Sequence, residues 1–122
     1  MKFPVIIQGT VQEGRKMGKQ LGFPTANVLL RQQIPEGIYL SRTEIDAKTY
    51  PSLTFIGKAL VFKDRIYKSE TYILQFSRDL YNQNIQVVLL KKIRENQMFT
   101  SKRTLIIQMK KDAEVAKEYF NL

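Results

Sequence analysis

The sequence contains no cysteine and no histidine. Without cysteine there can be no disulfide framework, no thiolate zinc site and no thiol nucleophile, and without histidine there is no imidazole metal ligand and no Ser-His-Asp triad. Long apolar runs are missing as well, since uncharged stretches such as residues 83–90 fall far short of the roughly 20 residues of a membrane-spanning helix. The first residues also lack the apolar region of a secretory signal. We therefore expect a cytoplasmic protein without a membrane partner, and any catalysis must use Asp, Glu, Lys, Tyr, Ser or Thr.

Positive charge, by contrast, is abundant. Lysine and arginine number 20 against 11 acidic residues, which gives a net charge of +9. Such a charge favours polyanionic partners, which include nucleic acid, acidic membranes and phosphorylated small molecules. The basic residues are spread along the chain, as on an ordinary solvated surface. The length of 122 residues, with 43% hydrophobic and 25% charged residues, predicts one globular domain over residues 1–122, and we expect a monomer.

The first three quarters of the chain consist of short β-rich runs separated by Gly, Pro, Asn and Asp. Six strands are predicted, at residues 5–11, 25–30, 37–45, 53–56, 71–76 and 85–93. Consecutive short strands without helical patterns between them favour an antiparallel barrel or sandwich over a parallel sheet. Of these, a small closed barrel fits best.

After Phe99 the apolar residues recur at steps of three and four, which is the period of an amphipathic helix. The apolar stripe consists of Leu105, Met109, Ala113, Ala116 and Phe120. Thr100 or Ser101 can cap the start of the helix. We predict a C-terminal helix whose apolar face packs on the barrel.

A glycine-rich segment follows the first predicted strand. Glycine occupies positions 9, 14, 18 and 22, and three basic residues lie among them. Backbone N–H groups in such a loop can converge on phosphate oxygens. The segment has neither the Gly-Lys-Ser/Thr of a P-loop nor the spacing of a dinucleotide fingerprint. On composition alone, a basic hairpin loop is the more ordinary interpretation.

The segment 22–27, Gly-Phe-Pro-Thr-Ala-Asn, is more specific. Pro24 fixes the backbone as the chain enters the strand, and Thr25 and Asn27, two residues apart, project to the same face. Their hydroxyl and amide oxygens are the hard ligands that suit Mg²⁺ and its phosphates. Taken alone, such a pair is more often a hydrogen-bonding device at the end of a strand.

In context, the segment resembles the signature of the riboflavin kinase family, which opens with Gly-x-Val, a Gly- and Arg-rich loop and Leu-Gly-Phe-Pro-Thr-Ala-Asn. The chain carries Gly-Thr-Val at 9–11 and Leu-Gly-Phe-Pro-Thr-Ala-Asn at 21–27. The likeness continues in order with Ile-Pro-Glu-Gly-Ile-Tyr at 34–39, Ile-Gly at 56–57, Glu-Thr-Tyr-Ile-Leu-Gln-Phe at 70–76, Asp-Leu-Tyr at 79–81 and Ile-Arg-Glu-Asn-Gln-Met-Phe at 93–99. It ends in the helix that contains Asp112 and so covers nearly the whole chain.

The resemblance implies a mainly β fold, a six-stranded antiparallel closed β-barrel with a C-terminal α-helix. It implies transfer of the γ-phosphoryl group of ATP to the ribityl 5′-hydroxyl of riboflavin, which gives FMN and ADP. Thr25 and Asn27 match the family residues that hold Mg²⁺, or another divalent cation, and the nucleotide phosphates. Glu70 matches the family's base.

Further contacts are predicted by position. Phosphate contacts are assigned to the loop residues Gly14, Lys16, Gly18 and Lys19, and flavin contacts to Arg94, Met98 and Phe99. Because the segment 94–99 lies between barrel and helix, it is a natural lid. On the residues alone, Glu70 shares strand parity with Tyr72, Leu74 and Phe76, which places it at the mouth of an apolar interior; an ordinary salt bridge is the alternative.

The sequence also departs from the family pattern. The family's Asn-Ile-Gly-x-Arg-Pro-Thr-Phe is replaced by Phe-Ile-Gly-Lys-Ala-Leu-Val-Phe at 55–62, so that Ala59, Leu60 and Val61 replace Arg-Pro-Thr. Gln75 stands for the usual Asp, Asn82 for a usual Gly, and Lys19 for an Arg. One alternative is therefore a flavin-binding module with weakened kinase activity.

A second alternative is a non-catalytic basic barrel that binds single-stranded nucleic acid, since small antiparallel barrels with exposed aromatic residues suit such ligands. The aromatic residues argue against it, because Tyr39, Phe55, Tyr72 and Phe76 lie in strand runs like core residues, without a recognisable stacking motif.

Bacterial family members are often fused behind an adenylyltransferase domain. Both a standalone kinase and a module of such an enzyme remain open.

Overall fold

Six strands and one helix make up the part of the chain that the computed structural model describes, residues 1–12, 22–61 and 64–122. The elements are β1 (Val5–Thr10), β2 (Ala26–Leu29), β3 (Gly37–Ile45), β4 (Lys48–Val61), β5 (Asp64–Ile73), β6 (Asn84–Arg94) and α1 (Lys102–Phe120). None of the described helical residues forms a helix long and apolar enough to cross a membrane.

The strands form one antiparallel sheet in the order β1-β6-β3-β4-β5-β2. The sheet curls until its two outer strands approach each other just beyond β1, where the Gln12 backbone N–H donates to the Asn27 carbonyl over 2.7 Å. Gly9 permits this approach, because a Cβ atom there would lie only 2.6 Å from Val28 Cγ1. The barrel is thus nearly closed, and the predicted six-stranded antiparallel barrel is confirmed.

The predicted bounds are correct for β3. The predicted range is too short for β4, and for β5 it begins and ends too late. β4 was predicted over four residues and extends over 14, and β5 begins at Asp64 and ends at Ile73. The prediction that this strand continues to Phe76 is wrong because Gln75 adopts a left-handed φ of 56°, which ends the strand. Four hydroxyl residues of these strands resemble loop residues in sequence but are buried in the barrel, namely Ser52, Thr54, Ser69 and Thr71.

The barrel interior combines an apolar core with a chain of buried hydroxyl groups. The apolar part includes Ile7, Val28, Ile56, Val87 and Leu89. The hydroxyl groups are linked by four hydrogen bonds of 2.7–2.9 Å, in the order Thr43, Ser52, Ser41, Thr54 and Thr71. Because a hydroxyl can both donate and accept, this network gives every one of these buried groups at least one hydrogen-bond partner.

A second apolar cluster lies on the outer face of the barrel, beneath α1. It is built from Ile38, Leu40 and Leu53 of the strands, with Phe55 and Tyr72 packed against it and Ala116 and Phe120 contributed by α1. The prediction that the apolar stripe of the helix packs on the barrel is therefore correct. Ser101 is the N-cap, and its side chain accepts from the Thr104 backbone N–H, as the sequence also predicts.

A bidentate ion pair fastens α1 to the end of β6. Arg94 donates from Nε and Nη2 to the two carboxylate oxygens of Asp112, over 2.9 and 2.7 Å, and Asp112 also accepts from the Gln108 amide over 3.0 Å. The Asp112 side chain is only 8% exposed. Paired geometry of this kind is stronger than a single-point contact and fixes the angle between the partners, so it holds the helix over the barrel.

Candidate active site

Two pockets meet at the start of β2. The first, the barrel-mouth pocket, has a volume of about 310 Å³ and lies between the start of β2 and the segment 76–81. The second, the helix pocket, has a volume of about 300 Å³ and lies between the outer face of the barrel and α1. Thr25 lines both pockets. Ligands that fill the two pockets would therefore approach each other at Thr25.

Asn27 and Glu70 lie directly opposite each other in the ladder between β2 and β5. Because paired residues of antiparallel strands point to the same face with Cβ atoms roughly 5 Å apart, the two side chains leave the sheet side by side. Asn27 lines the barrel-mouth pocket, whereas Glu70 lines the helix pocket. The pair thus stands at the boundary between the pockets.

The Asn27 amide has an unused oxygen. Its Nδ2 donates to the Thr25 carbonyl over 3.5 Å, while Oδ1 is buried and has no partner among the described residues. A buried acceptor without a donor costs roughly 1–3 kcal/mol, which a bound ligand can relieve. Together with the half-buried Thr25 hydroxyl, this oxygen fits a hard divalent cation.

Glu70 shares its face with Tyr72, as its strand parity predicts, but that face is not the barrel interior. Ser69, Thr71 and Ile73 point into the barrel and are buried, while Glu70 and Tyr72 point outward beneath α1. Placement at the mouth of the interior is therefore wrong. Leu74 belongs to the outer cluster as expected, but Phe76, beyond the end of β5, packs against the inner core.

The Glu70 carboxylate makes an ion pair with Lys68, two residues earlier on the same face. The distance from Lys68 Nζ to Glu70 Oε1 is 3.1 Å, and the two side chains are 17% and 27% exposed. The salt bridge that the sequence left open as an alternative is thus present. Since Glu70 also lines the helix pocket, the ion pair does not remove it from contact with a ligand.

Two of the three predicted flavin contacts lie in the helix pocket. Arg94 and Phe99 line it, together with the aromatic pair Phe23 and Tyr72, whose rings meet edge to face at 5.2 Å. Met98 does not line it, and its side chain is 100% exposed. The segment 95–99 is neither helix nor strand, so neighbouring side chains diverge, with Phe99 directed inward and Met98 outward.

The predicted phosphate contacts of the glycine-rich loop, Gly14, Lys16, Gly18 and Lys19, lie outside the described residues.

The structure adds residues for which the sequence analysis gave no role. Lys68 pairs with the candidate base, Asp112 fixes Arg94, and Asn96 lines the helix pocket. The i, i+2 spacing of Lys68 and Glu70 on one strand was a usable signal. The contact of Arg94 with Asp112 joins distant parts of the chain and had no local signal, whereas Asn96 lies within the segment 94–99 that the sequence analysis described as a lid.

The four aromatic residues that the sequence analysis placed in strand runs pack against the two apolar clusters. Tyr39 is fully buried in the barrel, and its hydroxyl donates to the Pro35 carbonyl over 2.5 Å. Burial raises the pKa of this phenol above its ordinary value, an effect that the nearby Lys92 partly offsets. Phe55 and Tyr72 pack beneath α1 and Phe76 against the inner core. Nothing in this arrangement favours the single-stranded nucleic acid alternative.

Comparison with solved structures shows that other proteins share this fold. The crystal structure of riboflavin kinase from Trypanosoma brucei aligns with a TM-score of 0.65 at 22% identity and covers 97% of this chain and 80% of that one. A crystal structure described as a macrolide-efflux protein from Streptococcus pneumoniae aligns with a TM-score of 0.85 at 32% identity, over 93% of this chain and 38% of that one. The first likeness supports the barrel-and-helix fold.

The sequence comparisons identify the family. The family model for riboflavin kinase, or flavokinase, matches residues 1–120, and the chain belongs to this family. A bifunctional riboflavin kinase/FMN adenylyltransferase from Buchnera aphidicola subsp. Schizaphis graminum is 39% identical over 124 residues, which cover 98% of this chain and 40% of the relative. The chain therefore spans well under half the length of this curated relative.

Proposed function

We propose that the chain transfers the γ-phosphoryl group of ATP to the ribityl 5′-hydroxyl of riboflavin, giving FMN and ADP. One observation carries the proposal: Asn27 and Glu70 are direct cross-strand neighbours at the boundary of two pockets that share Thr25. Phosphoryl transfer needs a phosphate site and a hydroxyl site in contact, with little covalent chemistry from the protein. This arrangement supports the assignment of both sites.

We assign riboflavin to the helix pocket and ATP to the barrel-mouth pocket. The helix pocket is lined largely by apolar and aromatic side chains, including Phe55, Phe99, Leu105 and Met109, which suit a flat tricyclic ring. The barrel-mouth pocket carries Asn27, Arg78 and more polar surface. With these assignments the flavin hydroxyl reaches Glu70 and the nucleotide phosphates reach Asn27.

In the reaction, the Glu70 carboxylate orients the 5′-hydroxyl and accepts its proton. The hydroxyl oxygen forms a bond to the γ-phosphorus, the bond from that phosphorus to the β-γ bridging oxygen breaks, and ADP leaves with the electron pair. Thr25 and Asn27 would hold the divalent cation, which, when bound, offsets the charge of the phosphates. Lys68 keeps Glu70 paired with a positive charge next to these anions.

We predict that FMN forms when the purified chain is incubated with riboflavin, ATP and Mg²⁺, and that a chelator abolishes its formation. The reason is that Thr25 and Asn27 offer only neutral oxygens, which cannot balance phosphate charge without a cation. Separation of the flavins by chromatography measures the product. Tight oligonucleotide binding at physiological salt without FMN would contradict the proposal.

We further predict that riboflavin and ADP together protect residues 94–99 from backbone hydrogen exchange. Residues 95–99 lie outside regular secondary structure, and the segment borders the helix pocket through Arg94 and Phe99, so a bound ring would restrict it. Mass-spectrometric exchange with and without the ligands tests the prediction, with the exposed β3–β4 turn at 46–47 as an internal control. If the ligands leave exchange in residues 94–99 unchanged, the segment is not a lid over the flavin.

The sequence also predicts a monomer in the cytoplasm, and both stay predictions.

The departures at residues 59–61 leave a flavin-binding module with weakened kinase activity as the second candidate. The barrel strands β4 and β5 continue through this region as a regular ladder, with Ala59 paired to Ile66 and Leu60 to Arg65. The rate of FMN formation and the affinity for riboflavin together distinguish the two candidates. The second candidate would bind riboflavin but form FMN slowly.

A further inference from the structure

Two buried side-chain polar atoms lack a hydrogen-bond partner in the part of the chain that the structure describes, and both belong to residues that line a pocket. One is Asn27 Oδ1, at the barrel-mouth pocket, and the other is Asn96 Oδ1, at the helix pocket. Native structures rarely leave such atoms unpaired, so each one calls for an explanation such as a missing ligand. Asn27 is explained by the phosphate site, whereas Asn96 has no role so far.

The orientation of the Asn96 amide is fixed by its surroundings. Its Nδ2 donates to the Ile56 carbonyl over 3.2 Å and to Glu36 Oε2 over 3.4 Å. Both partners are acceptors only, so a flipped amide would place its oxygen against two other oxygens. Oδ1 therefore must remain an acceptor that points away from these two groups.

Gly57 makes room for this arrangement. A Cβ atom at Gly57 would lie 2.5 Å from the Phe55 ring and 3.6 Å from Asn96 Nδ2. The missing side chain thus lets the Phe55 ring and the Asn96 amide settle over the same stretch of β4. An aromatic ring and an amide that carries an unpaired acceptor oxygen lie over the same stretch of strand there. An aromatic surface with an acceptor nearby suits a flat heterocycle with an N–H on its edge.

Two other polar side chains of the helix pocket, Arg94 and Asp112, are already engaged. Arg94 is held by Asp112 and by the Glu95 carbonyl, and Asp112 accepts from both Arg94 and Gln108. Asn96 Oδ1 is left as a free acceptor. The isoalloxazine ring of riboflavin has a single N–H group, at N3, and the remaining donors of the molecule are its ribityl hydroxyls.

We propose that Asn96 is a specificity-determining residue for the flavin, and that its Oδ1 accepts a hydrogen bond from the imide N3–H of the isoalloxazine ring. The inference rests on the proposed function, because it takes riboflavin as the ligand of the helix pocket. The ring is favoured over the ribityl chain because an apolar lining would otherwise bury N3–H without a partner. Since Oδ1 is closed off from solvent, the irregular segment 95–99 has to adjust as the ring enters.

The test is flavin binding, measured by fluorescence titration with riboflavin, N3-methylriboflavin and lumiflavin, which lacks the ribityl chain. We expect the wild-type protein to bind N3-methylriboflavin roughly 10-fold more weakly than riboflavin, the scale of one lost hydrogen bond. Asn96→Leu should weaken riboflavin and lumiflavin by a similar factor and should no longer discriminate against the N3-methyl group. Asn84→Leu, which replaces an exposed asparagine outside both pockets, is the matched control and should behave as wild type.

Each other outcome overturns the inference. If the wild-type protein binds N3-methylriboflavin as tightly as riboflavin, N3–H makes no such contact, and this result needs no variant to fold. If Asn96→Leu weakens riboflavin but not lumiflavin, the donor is a ribityl hydroxyl. Continued formation of FMN in either case would leave the proposed kinase activity intact. If the wild-type protein neither binds riboflavin nor makes FMN, the proposed function fails together with the inference.

Discussion

Glu70→Gln is expected to lower the rate of FMN formation by roughly 10²-fold or more, the usual scale for loss of a general base, while riboflavin affinity changes little. Glutamine is nearly isosteric with glutamate and can still hydrogen-bond the 5′-hydroxyl, but it cannot take up the proton. The carboxylate lines the helix pocket and is a cross-strand neighbour of Asn27. Single-turnover FMN formation with saturating substrates measures the effect.

The matched control is Glu44→Gln, which changes an exposed carboxylate on β3 outside both pockets. It should keep the wild-type rate. If the transition state is loose, the 5′-hydroxyl loses its proton late in the reaction. The basicity of Glu70 then contributes less to the rate than its orientation of the hydroxyl does. A near wild-type rate for Glu70→Gln in a folded protein would assign the base elsewhere, whereas equal losses in both variants would indicate a general effect of charge.

Asn27→Ala is expected to lower kcat/KM for the Mg²⁺ complex of ATP by about 10²-fold or more, because loss of even the outer partners of a metal site typically costs 10–100-fold. Riboflavin affinity in the absence of nucleotide should stay close to that of the wild type, since Asn27 lines only the barrel-mouth pocket. Kinetics at several Mg²⁺ concentrations, together with a riboflavin titration, separate the two effects.

Asn84→Ala provides the control for this variant, because it removes an exposed asparagine amide from β6. Thermal melting shows whether the buried Asn27→Ala substitution keeps the fold. If Asn27→Ala weakens free riboflavin as much as it impairs nucleotide use, with the fold intact, the assignment of the two pockets to the two substrates is wrong.

Much of this architecture could be predicted from local sequence patterns. The bounds of β3, the Ser101 cap and the apolar stripe of α1 all follow from signals within a few residues. The strands β4 and β5 were underestimated because their serine and threonine residues resemble loop residues. In the barrel, these hydroxyl groups satisfy one another across three strands, and a pairing of this kind is invisible before the strands are aligned.

The position of Glu70 shows where strand parity stops being informative. Parity correctly places Glu70 with Tyr72, but it does not say which face of a strand is the interior. Here both faces are covered, one inside the barrel and the other beneath α1, and each packs against an apolar cluster. Contacts such as Arg94 with Asp112 and Asn96 with Ile56 join residues 18 and 40 positions apart, so only the folded chain brings them together.

The proposed reaction phosphorylates riboflavin in the helix pocket with ATP bound beside it. Its most direct test is a single turnover with the protein in excess over riboflavin and with ATP and Mg²⁺ saturating, followed by quantification of FMN and ADP. We predict that essentially all bound riboflavin becomes FMN in one phase, with one ADP formed per FMN. Riboflavin that stays bound and unphosphorylated would contradict the claim and would identify the chain as a flavin-binding module.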